Sequence, residues 1–219
     1  ESGFHGSVPI VSATIPVSVG AGLNAKLKNN NSVAVSYFGD GTTEEGTFHE
    51  SLNLASYYKL PVLFVCENNL FSSHMHINER QPADSVARFA NSHEMMFEII
   101  DGNDINSVFE TAKRATNYLR SGKGPFFIEA ITYRWRGHVG PDENIDVGLR
   151  RKEDLSIWKK RDPIGRLEKA LVDDGSIDSN KIDEIDNEID KVVNNAWLRA
   201  ESDPYPESEQ LMNTVYYDK

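Results

Sequence analysis

The 219-residue chain holds one cysteine, Cys66. That excludes an internal disulfide framework and is compatible with a reducing compartment such as the cytoplasm. No apolar run approaches the ~20 residues that a membrane-spanning helix needs, which argues against an integral membrane protein. Basic residues are also short. There are 23 Lys and Arg against 34 Asp and Glu, a net charge of −11, which argues against nucleic acid or an anionic membrane as the main partner. No repeat or low-complexity tract stands out. The chain opens on Glu1 without a Met or a secretory pattern, so a trimmed or partial polypeptide is expected. What is present suits a folded globular domain: 39% hydrophobic and 26% charged residues, at a length that can bury a real core.

Apolar strand-like runs alternate with helical periodicity, the pattern of a parallel sheet with crossover helices. Residues 12–28 are small and apolar and suit a buried helix that approaches another backbone closely. Residues 32–38 read as a strand, and Phe48, Leu52 and Ala55 then mark one face of a helix over 44–58. A second buried strand follows Pro61 over 62–67, then a polar loop over 68–82. Residues 97–100 predict a strand and Asp104 caps a helix with Val108, Ala112, Ala115 and Leu119 on one face. A further strand spans 125–132, and residues 133–151 form a long glycine-containing loop of the kind that usually carries function. Charged helices follow over 152–174 and 178–200, the second with Ile182, Ile185, Ile189 and Val192 in register. The expected organisation is an α/β core over 1–160 and a C-terminal helical arm over 161–219.

The sharpest signal lies in 39–69, "GDGTTEEGTFHESLNLASYYKLPVLFVCENN". A right-handed crossover sets two parallel strands with their C-terminal ends at one edge. Asp40 leaves the first strand there and Asn69 leaves the second, so their oxygens can converge. A carboxylate, an amide oxygen and a backbone carbonyl suit Mg²⁺ or Ca²⁺, whereas zinc would want His or Cys. Gly39 and Gly41 let the chain pass close to a phosphate, and a helix beginning near Thr43 offers unpaired N–H donors. Glu44 and Glu45, in that first turn, complement the helix dipole.

GDG followed by NN resembles the thiamine diphosphate motif. The surrounding sequence resembles the alpha subunit of the decarboxylating component of 2-oxo acid dehydrogenases (pyruvate, branched-chain and acetoin). "IPVSVGAGLNAKL" is similar to that family's helix before the GDG strand, and "YRWRGHVGPDE" to its active-site loop. "KKRDPIGRLEKAL" and "EIDNEIDKVV" are similar to its C-terminal helices. The resemblance covers nearly the whole chain. It implies a three-layer αβα parallel sheet of the thiamine diphosphate-binding fold with a C-terminal helical arm.

Residue by residue, the resemblance implies that Asp40, Asn69 and the main-chain carbonyl of Phe71 hold Mg²⁺. Gly41 and Thr42 match backbone contacts to the diphosphate. Pro9 and Val11 match positions lining the aminopyrimidine, Pro9 standing where the family usually has glycine. His138 and Arg134 match the loop histidine and arginine beside the diphosphate and the reacting carbon. Val139 stands where the mammalian pyruvate enzymes carry a regulatory serine. The resemblance further implies a beta subunit that supplies the activating glutamate, a two-alpha, two-beta assembly and acyl transfer to a lipoyl acyltransferase core. The family also carries a long N-terminal part that this chain lacks.

Two other readings stand beside this one. One is a split transketolase-like or 2-oxo acid decarboxylase subunit that works without lipoamide; the other is an inactive scaffold. Other residues carry weaker signals. His74 and His76 alternate on an extended segment that either lines a channel or faces solvent. Cys66 reads as inert core inside a strand. The three tryptophans read as packing or interface residues.

Overall fold

The computed structural model describes residues 3–143 and 151–213; the expected 133–151 loop is therefore described only as far as residue 143. Helix α1 (Thr14–Lys28) turns Ile15, Ser18, Val19, Gly22 and Ala25 inward. Gly22 is required there, since a Cβ would collide with the Val62 side chain. This is the close approach that the small residues of 12–28 predict. Strand β1 (Ala34–Gly39) leads into a 3₁₀ turn (Asp40–Glu44), helix α2 (Gly46–Tyr57) and strand β2 (Val62–Asn68). Phe48, Leu52 and Ala55 are the buried apolar face of α2, as their spacing predicts.

The 68–82 stretch carries more structure than a plain loop. A two-rung antiparallel hairpin joins β3 (Phe71–Ser72) to β4 (Met75–His76), and a 3₁₀ turn follows over Ile77–Glu79. Helix α3 (Ala87–Ser92), strand β5 (Met96–Asp101), helix α4 (Ile105–Arg120) and strand β6 (Phe126–Ile131) complete the sheet region. The Asp104 carboxylate accepts the Ser107 N–H at 3.0 Å and so caps α4. The buried stripe of α4 is Thr111, Ala115 and Leu119, while Val108 lies at its exposed margin.

All four main strands are parallel, in the order β1-β2-β6-β5. The β1→β2 connection moves one way across the sheet and β5→β6 moves back. Right-handed crossovers therefore put their helices on opposite faces. Strand β2 displays both interfaces: Val62, Phe64 and Cys66 join the core beneath α1–α3, and Leu63 joins the core beneath α4. The expected three-layer α/β architecture is borne out.

Beyond β6 the expected helix over 152–174 is two helices, α5 (Arg151–Lys159) and α6 (Pro163–Asp173). Pro163 has no N–H to give and favours a first helical position, so the chain restarts there. Leu155 and Trp158 of α5 pack with Phe71 and Tyr133, the Trp158 and Tyr133 rings stacking at 5.6 Å. Chain contacts divide the molecule into residues 1–167 and 168–219. In the second unit, α7 (Ser179–Ser202) is capped by Asp178 at 2.8 Å and carries Ile185, Ile189 and Val192 exposed. No helix among the described residues is long and apolar enough to cross a membrane.

Candidate functional site

The register of β1 with β2 matches Gly39 to Glu67, so the residues that follow each strand meet at the sheet's carboxyl edge. Asp40 is the first residue past β1 and is only 1% exposed. Burial pushes its carboxyl above the ordinary carboxylate value, opposed by a hydrogen bond and the charge of Arg80 and by the backbone amides of Asp40 and Asn69. Oδ2 accepts from the Arg80 guanidinium, whereas Oδ1 is buried with no hydrogen-bond partner. An orphan carboxylate oxygen in such a place fits a hard cation. Groups of three or more His, Cys, Asp and Glu that could hold a metal do not occur among the described residues. The donors gathered here are instead one carboxylate, an amide oxygen and backbone carbonyls.

The second turn is built from two asparagines with different tasks. Asn68 is fully buried. Its Nδ2 donates to Glu129 Oε1 at 2.7 Å and to the Asp84 carbonyl at 3.0 Å, and its Oδ1 accepts the Leu70 N–H at 3.0 Å. Asn69 Oδ1 accepts the Phe71 N–H at 3.1 Å. These two side-chain turns shape the strand exit and bring β3 against the 40–44 turn. Gly41 marks how close they come: a Cβ there would lie 2.5 Å from Ser72 Oγ and 2.9 Å from its Cβ. Asp40, Gly41, Thr42, Asn69 and Phe71 thus belong to one contiguous patch.

The loop after β6 reaches this patch through Ser73. Arg134 donates to the Ser73 carbonyl at 2.7 Å, and its other terminal nitrogen lies 3.4 Å from His138 Nδ1. The His138 ring stands edge-on to His74, with centroids 6.5 Å apart. His76 is turned elsewhere, packing on Phe71 at 5.0 Å and accepting the Asn78 N–H. Pro9 and Val11 lie exposed just ahead of α1, Val11 at 56%.

Two expectations for the 40–45 stretch need correction. The helix does not begin near Thr43. The Thr43 hydroxyl donates to the Asp40 carbonyl at 2.7 Å and locks a 3₁₀ turn, which delays α2 to Gly46. Glu44 does not sit on a helix N-terminus either; it pairs with Arg80 and accepts from Gln81 Nε2 at 2.8 Å. Cys66 is inert core as expected, its thiol pushed well up by burial and further by the charges of Asp40, Glu129 and Glu67.

Three residues of the site had no weight in the sequence reading: Arg80, Gln81 and Glu129. Glu129 left a signal, because a lone carboxylate inside "PFFIEAIT" must find partners once buried. Arg80 and Gln81 left none, since an Arg-Gln pair in a polar loop is ordinary.

Fold and donor set define a class: a doubly wound α/β protein with oxygen donors gathered at the carboxyl ends of its strands, the edge at which open α/β sheets bind ligands. Comparison with known proteins narrows it. The sequence matches the family described as dehydrogenase E1 component over residues 1–209, and the chain belongs to that family. It is 34% identical over 221 residues to the alpha subunit of acetoin:2,6-dichlorophenolindophenol oxidoreductase of Bacillus subtilis, covering 100% of this chain and 65% of the relative. It is 35% identical over 213 residues to the testis-specific mitochondrial pyruvate dehydrogenase E1 component subunit alpha of Homo sapiens, covering 97% and 54%. The corresponding subunit of Rhizobium meliloti is 30% identical over 216 residues, covering 98% and 61%. The chain thus spans between about half and two thirds of these relatives' lengths.

Proposed function

We propose that the chain is part of the alpha subunit of a thiamine diphosphate- and Mg²⁺-dependent dehydrogenase that decarboxylates a 2-oxo acid. In this reading a beta subunit completes a two-alpha, two-beta assembly in the cytoplasm, and the acyl group passes to a lipoyl carrier on an acyltransferase core. Residues 1–160 carry the cofactor-binding core and 161–219 the helical arm. The observation that carries the reading is the buried, unpartnered Oδ1 of Asp40, beside Asn69 at the carboxyl edge of a sheet in a dehydrogenase E1 chain.

Thiamine diphosphate, when bound, would supply a nucleophilic carbon and an electron sink for decarboxylation. The chain's own residues do the positioning. Asp40, the Asn69 amide oxygen and the Phe71 carbonyl would hold the metal, and with it Asp40 would anchor the diphosphate that its bare charge repels. Gly41 and Thr42 present backbone to the diphosphate, and Val11 is the position that lines the aminopyrimidine. Arg134, anchored on the Ser73 carbonyl, adds fixed positive charge and orients His138. His138 donates a proton or hydrogen bond to the oxyanion that develops at the reacting carbon.

Acetoin in place of a 2-oxo acid is the second reading, favoured by the acetoin named in the Bacillus subtilis relative. Isothermal titration with thiamine diphosphate, with and without Mg²⁺ and a beta subunit, tests the cofactor site. Metal-dependent binding that Asp40→Ala abolishes is expected. Binding that survives Asp40→Ala, or silence in every combination, refutes the reading and leaves the scaffold. Turnover with 2-oxo acids and acetoin, with and without lipoyl acceptor, then separates the enzyme readings.

A further inference from the structure

The cation that faces Asp40 belongs to the chain itself. Arg80 is only 7% exposed in its side chain. Its two terminal nitrogens pair with Asp40 Oδ2 and Glu44 Oε1, while Nε donates to the Met75 carbonyl at 3.2 Å. Each of its three nitrogens donates, and together they tie the 75–80 hairpin and turn to the 40–44 turn. Gln81 repeats the tie next door, donating to Thr43 Oγ1 at 3.1 Å and to Glu44. Asp40 therefore does not wait as a naked buried charge; a guanidinium neutralises one oxygen and leaves the other empty.

We propose that Arg80 is the resident counter-cation of Asp40 and competes with the divalent metal for that carboxylate. The inference rests on the metal-binding role given to Asp40 above and deepens it. Burying a carboxylate alone is strongly unfavourable, so Arg80 holds the 40–44 turn in its binding shape before the metal arrives. The same guanidinium repels a dication on the neighbouring oxygen. Loading requires Arg80 to shift toward Glu44, which already holds its other nitrogen. Arg80 thus trades metal affinity for an ordered metal-free site. It is a positioning residue, and it sets the metal concentration at which the site fills.

This role has a signature that plain structural support lacks, because affinity and stability move in opposite directions. The purified chain is titrated with Mn²⁺ alone, read by electron paramagnetic resonance of the free ion, and melted with and without Mn²⁺. Arg80→Gln is expected to bind Mn²⁺ about tenfold or more tightly than the unaltered chain, the scale on which close charge pairs couple. Its metal-free melting midpoint falls, and saturating Mn²⁺ restores it. Arg80→Lys keeps the charge but loses the fork, so its Mn²⁺ affinity lies between the two. Should Arg80→Gln fail to fold, Arg80→Lys decides alone: tighter Mn²⁺ binding supports the competition.

Unchanged or weaker Mn²⁺ binding in the folded variant overturns it. If thiamine diphosphate binding still depends on Asp40 in that case, only the role of Arg80 falls. If the unaltered chain binds neither Mn²⁺ nor, with a beta subunit present, thiamine diphosphate, the cofactor reading falls with it.

Discussion

Replacing Glu129 tests whether the NN turn is held from behind. The carboxylate lies fully buried on β6. Oε1 accepts from Asn68 Nδ2 at 2.7 Å and the Val86 N–H at 3.1 Å; Oε2 accepts from Ser85 Oγ at 2.7 Å and the Ala87 N–H at 2.8 Å. Glu129→Ala orphans four donors and opens a cavity. Each unmet donor costs about 1–3 kcal/mol, but relief of the buried charge and water entry offset part of the sum, leaving roughly 3–5 kcal/mol. Glu129→Gln keeps the volume and one acceptor oxygen. Its NH₂ faces Ser85, whose hydroxyl can rotate to accept, so chiefly the Ala87 N–H is stranded, at about 1–3 kcal/mol. Urea unfolding should therefore order the chains as unaltered, Gln, then Ala, with the Ala midpoint lower by roughly 2 M at an ordinary denaturant slope. Affinity for thiamine diphosphate with Mg²⁺ should follow the same order. An alanine variant within about 1 kcal/mol of the unaltered chain would refute the view that this carboxylate holds the strand exit.

Two further perturbations probe the sheet away from the site. Gly22→Ala should lose about 1–3 kcal/mol from overlap with the Val62 side chain, and pairing it with Val62→Ala should recover most of that in a thermal melt. Equal melting of the single variant and the unaltered chain would count against so close a contact of α1 with β2. The second perturbation is pH. The hydrogen bond from Arg114 at 2.6 Å, helped by Thr111, holds the Glu98 carboxyl below the ordinary carboxylate value. The unfolded chain then binds more protons between the two values, so the contribution of Glu98 is complete above the ordinary value and vanishes as pH falls through the folded one. The melting difference between the unaltered chain and Glu98→Gln should shrink on that acid side; a constant difference would contradict the assignment.

Much of the scaffold was legible because burial is periodic. Phe48, Leu52 and Ala55 on α2, and the β2 residues shared between two cores, announce themselves at spacings that only one arrangement uses. Asp104 declared a helix start in the same local way. The break at Pro163 was equally local, yet the charged run on either side masked it. The site was legible only at its two strand exits. What connects them is set by tertiary contacts that have no period: Arg80 reaches Asp40 across 40 residues, and Glu129 reaches Asn68 across 61. The Thr43 hydroxyl decided a 3₁₀ turn against the helix start that the "TTEEG" run suggested, a case of a side chain competing with the helix for a carbonyl.

The asparagine pair also explains why amides, and not acids, follow β2. Leu70 and Ser73 both adopt left-handed backbone, with φ of 68° and 52°, a conformation that costs a non-glycine residue roughly 1–2 kcal/mol. The Asn68 and Asn69 side-chain oxygens meet the N–H groups at Leu70 and Phe71, which holds the chain in that bent course. A carboxylate at either place could accept the same hydrogen bond. At 68 it would face the Glu129 carboxylate with no N–H to give. At 69 it would set a second negative charge near the buried Asp40, whose carboxyl is already pushed above its ordinary value by burial. The amide oxygen of Asn69 spends one lone pair on the Phe71 N–H and keeps the other. It can therefore hold the strained turn and, in the role proposed for it, ligate a cation with the same atom, so that filling the site need not unmake the turn that shapes it.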